Sequence, residues 1–132
     1  MKKIKLVKRS IQRDPTLRVT LLPKDTNAAG TIFGGVILSL IDLAGGIEAR
    51  KHANKRLVTV VMKEVHFKRP VYVGDIVSLY TKTLRIGTTS VTVKVEVEVQ
   101  RGANPSQHEL VTVAEAVYVA VDETWKPIPV RE

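Results

Sequence analysis

The stretch of residues 27–49, NAAGTIFGGVILSLIDLAGGIEA, constrains the fold more than any other part of the chain. It begins with small and polar residues, passes a glycine pair, and then stays apolar for roughly four helical turns. On a helix most of the large side chains share one wide face, and small residues form a stripe opposite. The wide face holds Val36, Ile37, Leu40, Leu43, Ala44 and Ile47, and the stripe holds Gly35, Ser39, Asp42, Gly46 and Ala49. We therefore expect a long central helix that is apolar nearly all round and buried.

Asp42 is the only charged residue in the small-residue stripe. A carboxylate midway along a buried helix costs several kcal/mol unless it is paired, hydrogen-bonded or protonated. Each glycine inside a helix also costs about 1 kcal/mol relative to alanine. Both costs indicate that a backbone or a ligand comes close to this face. Two interpretations of Asp42 are open: a structural carboxylate that holds a loop or partner chain, or a group that takes part in chemistry.

Around the helix, the apolar residues follow a period of two, which is typical of strands. Five strands are predicted, at residues 16–22, 57–67, 76–85, 89–100 and 109–121. The second is rich in valine and is expected to be buried on much of both faces. The third and fourth form a hairpin, and the fourth alternates valine with polar residues, which predicts one covered and one water-facing side. The last strand carries alanines on one face, so a helix can lie close against it.

These elements predict an α+β fold in which one long helix is wrapped by an antiparallel sheet. The 132 residues are enough for a single domain with one core. We expect no second domain, and we interpret residues 1–15, with five Lys or Arg before residue 10, as a basic and partly disordered arm.

The net charge of +8 favours a polyanionic partner, such as nucleic acid, anionic lipid or a phosphate-bearing small molecule. Aromatic residues are only 5% of the chain and no aromatic-studded basic strand is visible, which argues against nucleic acid. No apolar run is long enough to span a membrane. With no cysteine and no apolar secretory signal near the start, we expect a cytoplasmic protein.

Several chemistries lack their usual residues. No G-x-S-x-G elbow surrounds Ser39, and no glycine-rich phosphate loop is followed by lysine. The histidines at 52, 66 and 108 lack metal-ligand spacing, so no metal site is expected, and His66 is interpreted as a strand residue with a satisfied ring.

Short motifs then follow one another in a characteristic order. D-x-N-x-x-G-x-I-F-G-G runs from Asp25 to Gly35 and is followed by the helix with Asp42. VTV occurs at 58–60, HFKRP at 66–70, VGD at 73–75 and RIGTTS at 85–90. In this order and spacing they resemble the hotdog-fold acyl-CoA thioesterases over residues 17–122. The YciA-like bacterial enzymes, related to the cytosolic acyl-CoA hydrolases of animals, are the most similar branch; Ala29 departs from their pattern, which often has a larger or polar residue before the glycine.

The resemblance implies a hotdog fold, at least a homodimer and further a trimer of dimers, that hydrolyses acyl-CoA without a metal or redox cofactor. It implies that Asp42 is a general base or a water-orienting carboxylate, and that Thr59 lies near it and hydrogen-bonds the attacking water. Whether Asp42 could instead be a nucleophile is left open. It also implies that Asn27 has a positioning role. Coenzyme A is expected to contact a set of loop and turn residues, namely Phe33, Gly34, Arg69, Gly87, Thr88, Thr89 and Ser90.

Thioester hydrolysis needs a base to activate water and donors for the developing oxyanion. Asp42 can serve as the base, and the Gly34 and Gly35 amides at the helix N-terminus can serve as the donors. Asp42 follows Gly35 by seven residues, which is about 10 Å along one helix. One small thioester group cannot easily reach both in the same subunit. This spacing predicts a site shared between two chains.

Two alternatives remain open. A hotdog dehydratase or hydratase would act on acyl thioesters through a catalytic histidine paired with a carboxylate, but no histidine lies between Asn27 and Asp42. A non-enzymatic module would bind acyl-CoA or nucleic acid without turning it over. Release of free thiol from acyl-CoA distinguishes the hydrolase from both.

Overall fold

The computed structural model describes residues 13–102 and 106–131. Most of the basic arm predicted at residues 1–15 therefore lies outside the described residues. Within its described part, the guanidinium of Arg13 lies over the ring of Tyr80, 4.0 Å from the centroid. Arg13 also donates a hydrogen bond to Glu96 Oε1 at 3.2 Å.

One helix and five strands make up the described chain, with short 3-10 turns at Pro23–Asp25 and Arg50–His52. Helix α1 spans Gly34–Ala49, and the strands are β1 Leu17–Thr20, β2 Arg56–Phe67, β3 Ile76–Ile86, β4 Ser90–Gln100 and β5 His108–Val121. The strands form a single antiparallel sheet in the order β1-β3-β4-β5-β2. The predicted helix, its wrapping sheet and the β3–β4 hairpin are confirmed. No helix among the described residues has the length and apolar character needed to cross a membrane.

The core lies between α1 and the concave side of the sheet. Its β4 side chains are fully buried at Val91, Val93, Val95, Val97 and Val99. The alanines at 114, 116 and 120 of β5 are equally buried, which lets the helix lie close against this strand as predicted. Each buried valine contributes about 1.5–3 kcal/mol relative to an exposed one.

The polar side of β4 agrees only in part with the prediction of a water-facing surface, because Lys94 and Glu96 are 42% and 28% exposed but their neighbours on this side are buried. Thr92 and Glu98 are 3% and 2% exposed. The reason is that β4 is the central strand, flanked by β3 and β5. In addition, a guanidinium nitrogen of Arg13 lies 3.6 Å from Glu98 Oε2 and covers it.

Neither α1 nor β2 is buried as the sequence predicted. On the helix Leu43 is 57% exposed and Ile47 is 38% exposed. β2 exposes Val60, Val61 and Phe67 by 44–53%. The physical reason is that one chain supplies only one sheet, which covers one side of the helix and leaves β2 at its edge. The expectations of a helix buried all round and of a strand buried on both faces are therefore wrong for the single chain.

Glu48, a second acidic residue on α1, is buried near the helix C-terminus. It accepts hydrogen bonds from Thr81 at 3.0 Å and Thr83 at 2.8 Å, and it pairs with Lys51 at 2.9 Å. Burial raises the pKa of the carboxyl. The contacts with Lys51, Thr83 and Thr81 together lower the pKa by more than burial raises it, so the net pKa is below its ordinary value. Glu48 thereby fastens the helix to β3.

At Gly45 the helix approaches β5 so closely that no side chain fits. A Cβ at this position would overlap the Tyr118 hydroxyl and lie 3.1 Å from two ring carbons. The Tyr118 ring is itself 2% exposed and has little room to move. At Gly46 a Cβ would lie 3.7 Å from the same ring, an ordinary contact.

This difference predicts opposite effects for two neighbouring substitutions. Alanine raises helix propensity by about 1 kcal/mol at either position. Gly45→Ala is nevertheless expected to lower the free energy of unfolding by about 1–3 kcal/mol, because the methyl group overpacks the core. Gly46→Ala should be neutral or stabilising. Urea unfolding of both variants at one protein concentration measures the difference, and equal midpoints would contradict the close approach at Gly45.

Candidate active site

Asp42 lies in the third turn of α1 and faces the strand pair β2–β5. The Thr59 hydroxyl donates a hydrogen bond to Asp42 Oδ1 at 2.6 Å. The Tyr118 hydroxyl donates to the main-chain oxygen of Asp42 at 2.7 Å and lies 3.3 Å from Oδ1. Within the described part of the chain, the hydrogen bonds to the Asp42 carboxylate both involve Oδ1, so Oδ2 is the oxygen left for a ligand or a water.

A cleft of about 200 Å³ opens beside this carboxylate. Its lining combines the acid, exposed apolar side chains and one cation: Asp42, Leu43, Gly46, Ile47, Arg50, Leu57, Thr59 and Tyr118. A cleft of this kind has an apolar wall beside an acid group. It suits a reacting group attached to an apolar chain.

The N-terminus of α1 forms a second part of the candidate site. Phe33 is the N-cap residue and makes no side-chain cap hydrogen bond. The Val36 amide donates to Phe33 O at 2.9 Å, whereas the Gly34 and Gly35 amides have no capping partner in the described part of the chain. Free amides at a helix N-terminus favour a negatively charged or polarised oxygen.

The same helix end borders a cavity of about 260 Å³, shared with the end of β2. Gly34, Phe67 and Arg69 line it together, which brings two predicted substrate-binding residues to one place. The buried Thr112 hydroxyl also borders this cavity and has no hydrogen-bond partner among the described residues. Arg69 is 64% exposed, with Nε 3.7 Å from Glu109 Oε1.

Asn27 uses its side chain inside the loop that leads into the helix. Its Oδ1 accepts hydrogen bonds from the amides of Ala29 at 2.9 Å and Thr31 at 3.1 Å. Its Nδ2 donates to Thr31 Oγ1 at 2.9 Å. Gly30 completes the turn with a φ of +88°, which favours glycine. Asn27 therefore shapes the loop, and its direct part in chemistry stays a prediction.

The turn at residues 87–90 lies at the end of the sheet that is far from Arg69. The Gly87 amide donates to Ser90 O, while Thr88 O and Thr89 O accept from Val130 and Ala120. Arg69, in contrast, donates its amide to Val111 O. Positions 111 and 120 are nine residues apart on β5, about 30 Å of strand. Within one chain, the predicted coenzyme A contacts therefore lie beside opposite ends of strand β5.

Within one chain, the predicted residues form three separate groups. Asp42 and Thr59 are in contact, Arg69 joins the helix N-terminus, and the 87–90 turn pairs through Ser90 with Val119, the residue after Tyr118 on β5. Tyr118, Gly45 and Arg50 were not identified from the sequence. The only available signal was the glycine inside the helix, which indicates close approach but does not identify the approaching residue.

Comparisons with known proteins decide the family. A family model described as the thioesterase superfamily matches residues 29–106. The chain is 42% identical over 120 residues to the acyl-CoA thioester hydrolase YciA of Salmonella typhimurium, covering 89% of this chain and 90% of that relative. The chain belongs to the thioesterase superfamily. The predicted relationship to YciA-like enzymes is confirmed.

Solved structures of the thioesterase superfamily have the same architecture. A hexameric hotdog-fold thioesterase of Campylobacter jejuni matches with a TM-score of 0.81 and 46% identity, covering 89% of this chain and 90% of that chain. An acyl-CoA hydrolase from Staphylococcus aureus, solved with butyryl coenzyme A, coenzyme A and coenzyme A disulfide, matches with a TM-score of 0.79 and 31% identity. That match covers 87% of this chain and 70% of the other. The hotdog fold predicted from the motifs is confirmed.

Proposed function

We propose that this chain hydrolyses acyl-CoA in the cytoplasm to a free carboxylic acid and coenzyme A. The observation that carries the proposal is Asp42, held by Thr59 at 2.6 Å beside a cleft with an apolar wall. Relatives covering most of the chain are named acyl-CoA thioester hydrolases, which supports the same substrate class. The reaction consumes water and uses neither a metal nor a redox cofactor.

In the proposed mechanism Asp42 acts as a general base. It removes a proton from water while the water oxygen attacks the thioester carbonyl carbon. The Gly34 and Gly35 amides stabilise the resulting oxyanion, since they are donors fixed before the reaction begins. The tetrahedral intermediate then breaks its carbon–sulfur bond. Coenzyme A leaves as the thiol after the sulfur takes the proton from Asp42, and the acid remains.

The site is proposed to combine two chains. Gly35 and Asp42 are about 10 Å apart along α1, so one chain does not bring its base and its amides to the same carbonyl. The exposed apolar side chains of α1 and the free edge of β2 provide a surface that a second copy can cover. Because a relative from Campylobacter jejuni is described as hexameric, we extend the proposal to three such dimers.

Coenzyme A is proposed to contact Phe33, Arg69 and the 87–90 turn. Turn amides, hydroxyls and a guanidinium suit phosphates and the polar pantetheine arm. Since Arg69 and the turn are about 30 Å apart along β5, one coenzyme A would take its contacts from two subunits. This arrangement agrees with a shared active site.

Arg69→Ala is expected to raise KM on the order of tenfold with little change in kcat, because a charge-assisted contact to phosphate is lost from bound substrate and transition state alike. Steady-state kinetics with one acyl-CoA measures the change. The effect should shrink for an acyl-pantetheine that lacks the nucleotide. Lys82→Ala, which removes an exposed cation from β3, is the control and should leave KM unchanged. Equal penalties on acyl-CoA and acyl-pantetheine would remove Arg69 from the phosphate site.

Thiol release tests the proposed function itself. The protein is incubated with acyl-CoAs of increasing chain length, and free coenzyme A is followed with a thiol-detecting reagent. We expect turnover of at least one acyl-CoA. Binding without thiol release would indicate a non-catalytic acyl-CoA-binding protein. Addition of water to an unsaturated acyl-CoA without thiol release would indicate a hydratase.

A further inference from the structure

Thr59 and Tyr118, on two neighbouring strands, both donate hydrogen bonds to Asp42. They are direct partners in the antiparallel β2–β5 register, so their side chains emerge on the same face of the sheet. Both hydroxyls reach the same residue of α1. Thr59 contacts Oδ1 at 2.6 Å, and Tyr118 contacts the main-chain oxygen at 2.7 Å with Oδ1 at 3.3 Å.

The Tyr118 hydroxyl is held as a fixed, protonated donor. Burial raises the pKa of this phenol, and the neighbouring Asp42 carboxylate raises it further. The ring is 2% exposed and fills the space that a side chain at Gly45 would need. The hydroxyl therefore keeps both its proton and its position.

A carboxylate that is free to rotate can present either oxygen, because the last torsion of aspartate is broad and roughly two-fold. Donors gathered on one oxygen remove this freedom. Here Thr59 donates to Oδ1, and the single hydroxyl proton of Tyr118 is shared between the main-chain oxygen at 2.7 Å and Oδ1 at 3.3 Å, so Tyr118 also fixes the helical turn that carries the carboxylate.

We propose that Tyr118 is a positioning residue for the hydrolysis and that, together with Thr59, it fixes Asp42 so that Oδ2 activates the water. This inference rests on the proposed function, in which Asp42 is the base. Tyr118 borders the cleft, but its hydroxyl proton is directed at Asp42, so it acts through Asp42 and not on the substrate carbonyl. The loss of its hydroxyl should therefore slow the chemical step and leave substrate binding largely intact.

Tyr118→Phe tests the proposal because it keeps the ring and removes only the hydroxyl. We expect kcat to fall about tenfold while KM for acyl-CoA changes less than about twofold. Tyr80→Phe is the matched control. Tyr80 is also buried, but its ring lies under Arg13 on the side of β3 away from the helix. This control should keep wild-type kcat, whereas an unchanged kcat in Tyr118→Phe would overturn the inference.

A double-mutant cycle separates positioning from a general structural effect. In an Asp42→Asn background the base is gone, so adding Tyr118→Phe should lower the residual kcat by less than about twofold. The same tenfold loss in both backgrounds would show that Tyr118 does not act through Asp42, and would overturn the proposal.

Thr59 provides a rescue experiment on the other donor. Thr59→Val should lower kcat, and Thr59→Ser should restore it, because serine returns the hydroxyl to Asp42 Oδ1. Failure of serine to restore kcat would contradict the role of the hydroxyl pair. An inactive wild-type protein would refute the proposed function. An active wild type, a defective Asp42→Asn and a fully active Tyr118→Phe would refute the positioning role alone.

Discussion

Replacing Asp42 with asparagine is expected to lower kcat by about 10²–10⁴, the range typical of a general acid–base group. The amide cannot take a proton from water. It does retain an oxygen that can accept hydrogen bonds from Thr59 and Tyr118, and it occupies almost the same volume as the acid. Folding and coenzyme A binding should therefore be preserved.

Three measurements on one preparation decide between a catalytic and a structural Asp42. These are kcat, coenzyme A affinity and the thermal midpoint. A structural carboxylate would change the midpoint or the association of the chains and leave activity per folded protein largely intact. An asparagine variant that folds, binds coenzyme A and keeps near wild-type kcat would remove Asp42 from the mechanism.

Mixing two inactive variants is expected to restore activity if each site takes its base from one chain and its amides from the other. Asp42→Asn removes the base of the site. Asn27→Ala loosens the loop that leads to the Gly34 and Gly35 amides. In a two-fold symmetric dimer, each mixed dimer carries one site that is intact in both halves. After random exchange of equal amounts, about a quarter of wild-type activity should return.

A second mixture serves as the control. Asp42→Asn combined with Asp42→Ala damages the same half in every chain, so no intact site can form. Activity must be measured alongside the fraction of mixed dimers, for example by native mass spectrometry of differently tagged chains. Mixed dimers that form without recovered activity would contradict the shared site.

Much of the backbone plan could be predicted because local periodicity determines it. The valines of β4 at alternate positions and the apolar run of α1 each identify an element without reference to the rest of the chain. The direction in which α1 faces could not be predicted in this way. A helix that is apolar nearly all round does not reveal which side its own sheet covers, so Leu43 and Ile47 were assigned to a buried face although they are exposed.

The surroundings of Asp42 depended even more on tertiary structure. The family resemblance implied that Thr59 lies near it, and the Thr59 hydroxyl does donate to Asp42 Oδ1, while the predicted contact of Thr59 with the water stays a prediction. Tyr118 is 76 residues away in the chain. Its contact depends on β5 lying beside β2 in one specific register, which local patterns do not encode. Glu48 was overlooked because its threonine partners on β3 become visible only once the strands are paired.

The space between Gly45 and Tyr118 also limits how this sequence can drift over generations. A larger residue at position 45 has no room while tyrosine occupies position 118, and a smaller residue at 118 would leave a void against the helix. Neither position can change far by itself without a loss of stability. The same tyrosine contacts Asp42. Replacing residues 45 and 118 together would therefore also remove a hydrogen-bond donor to Asp42, and another residue would have to supply it.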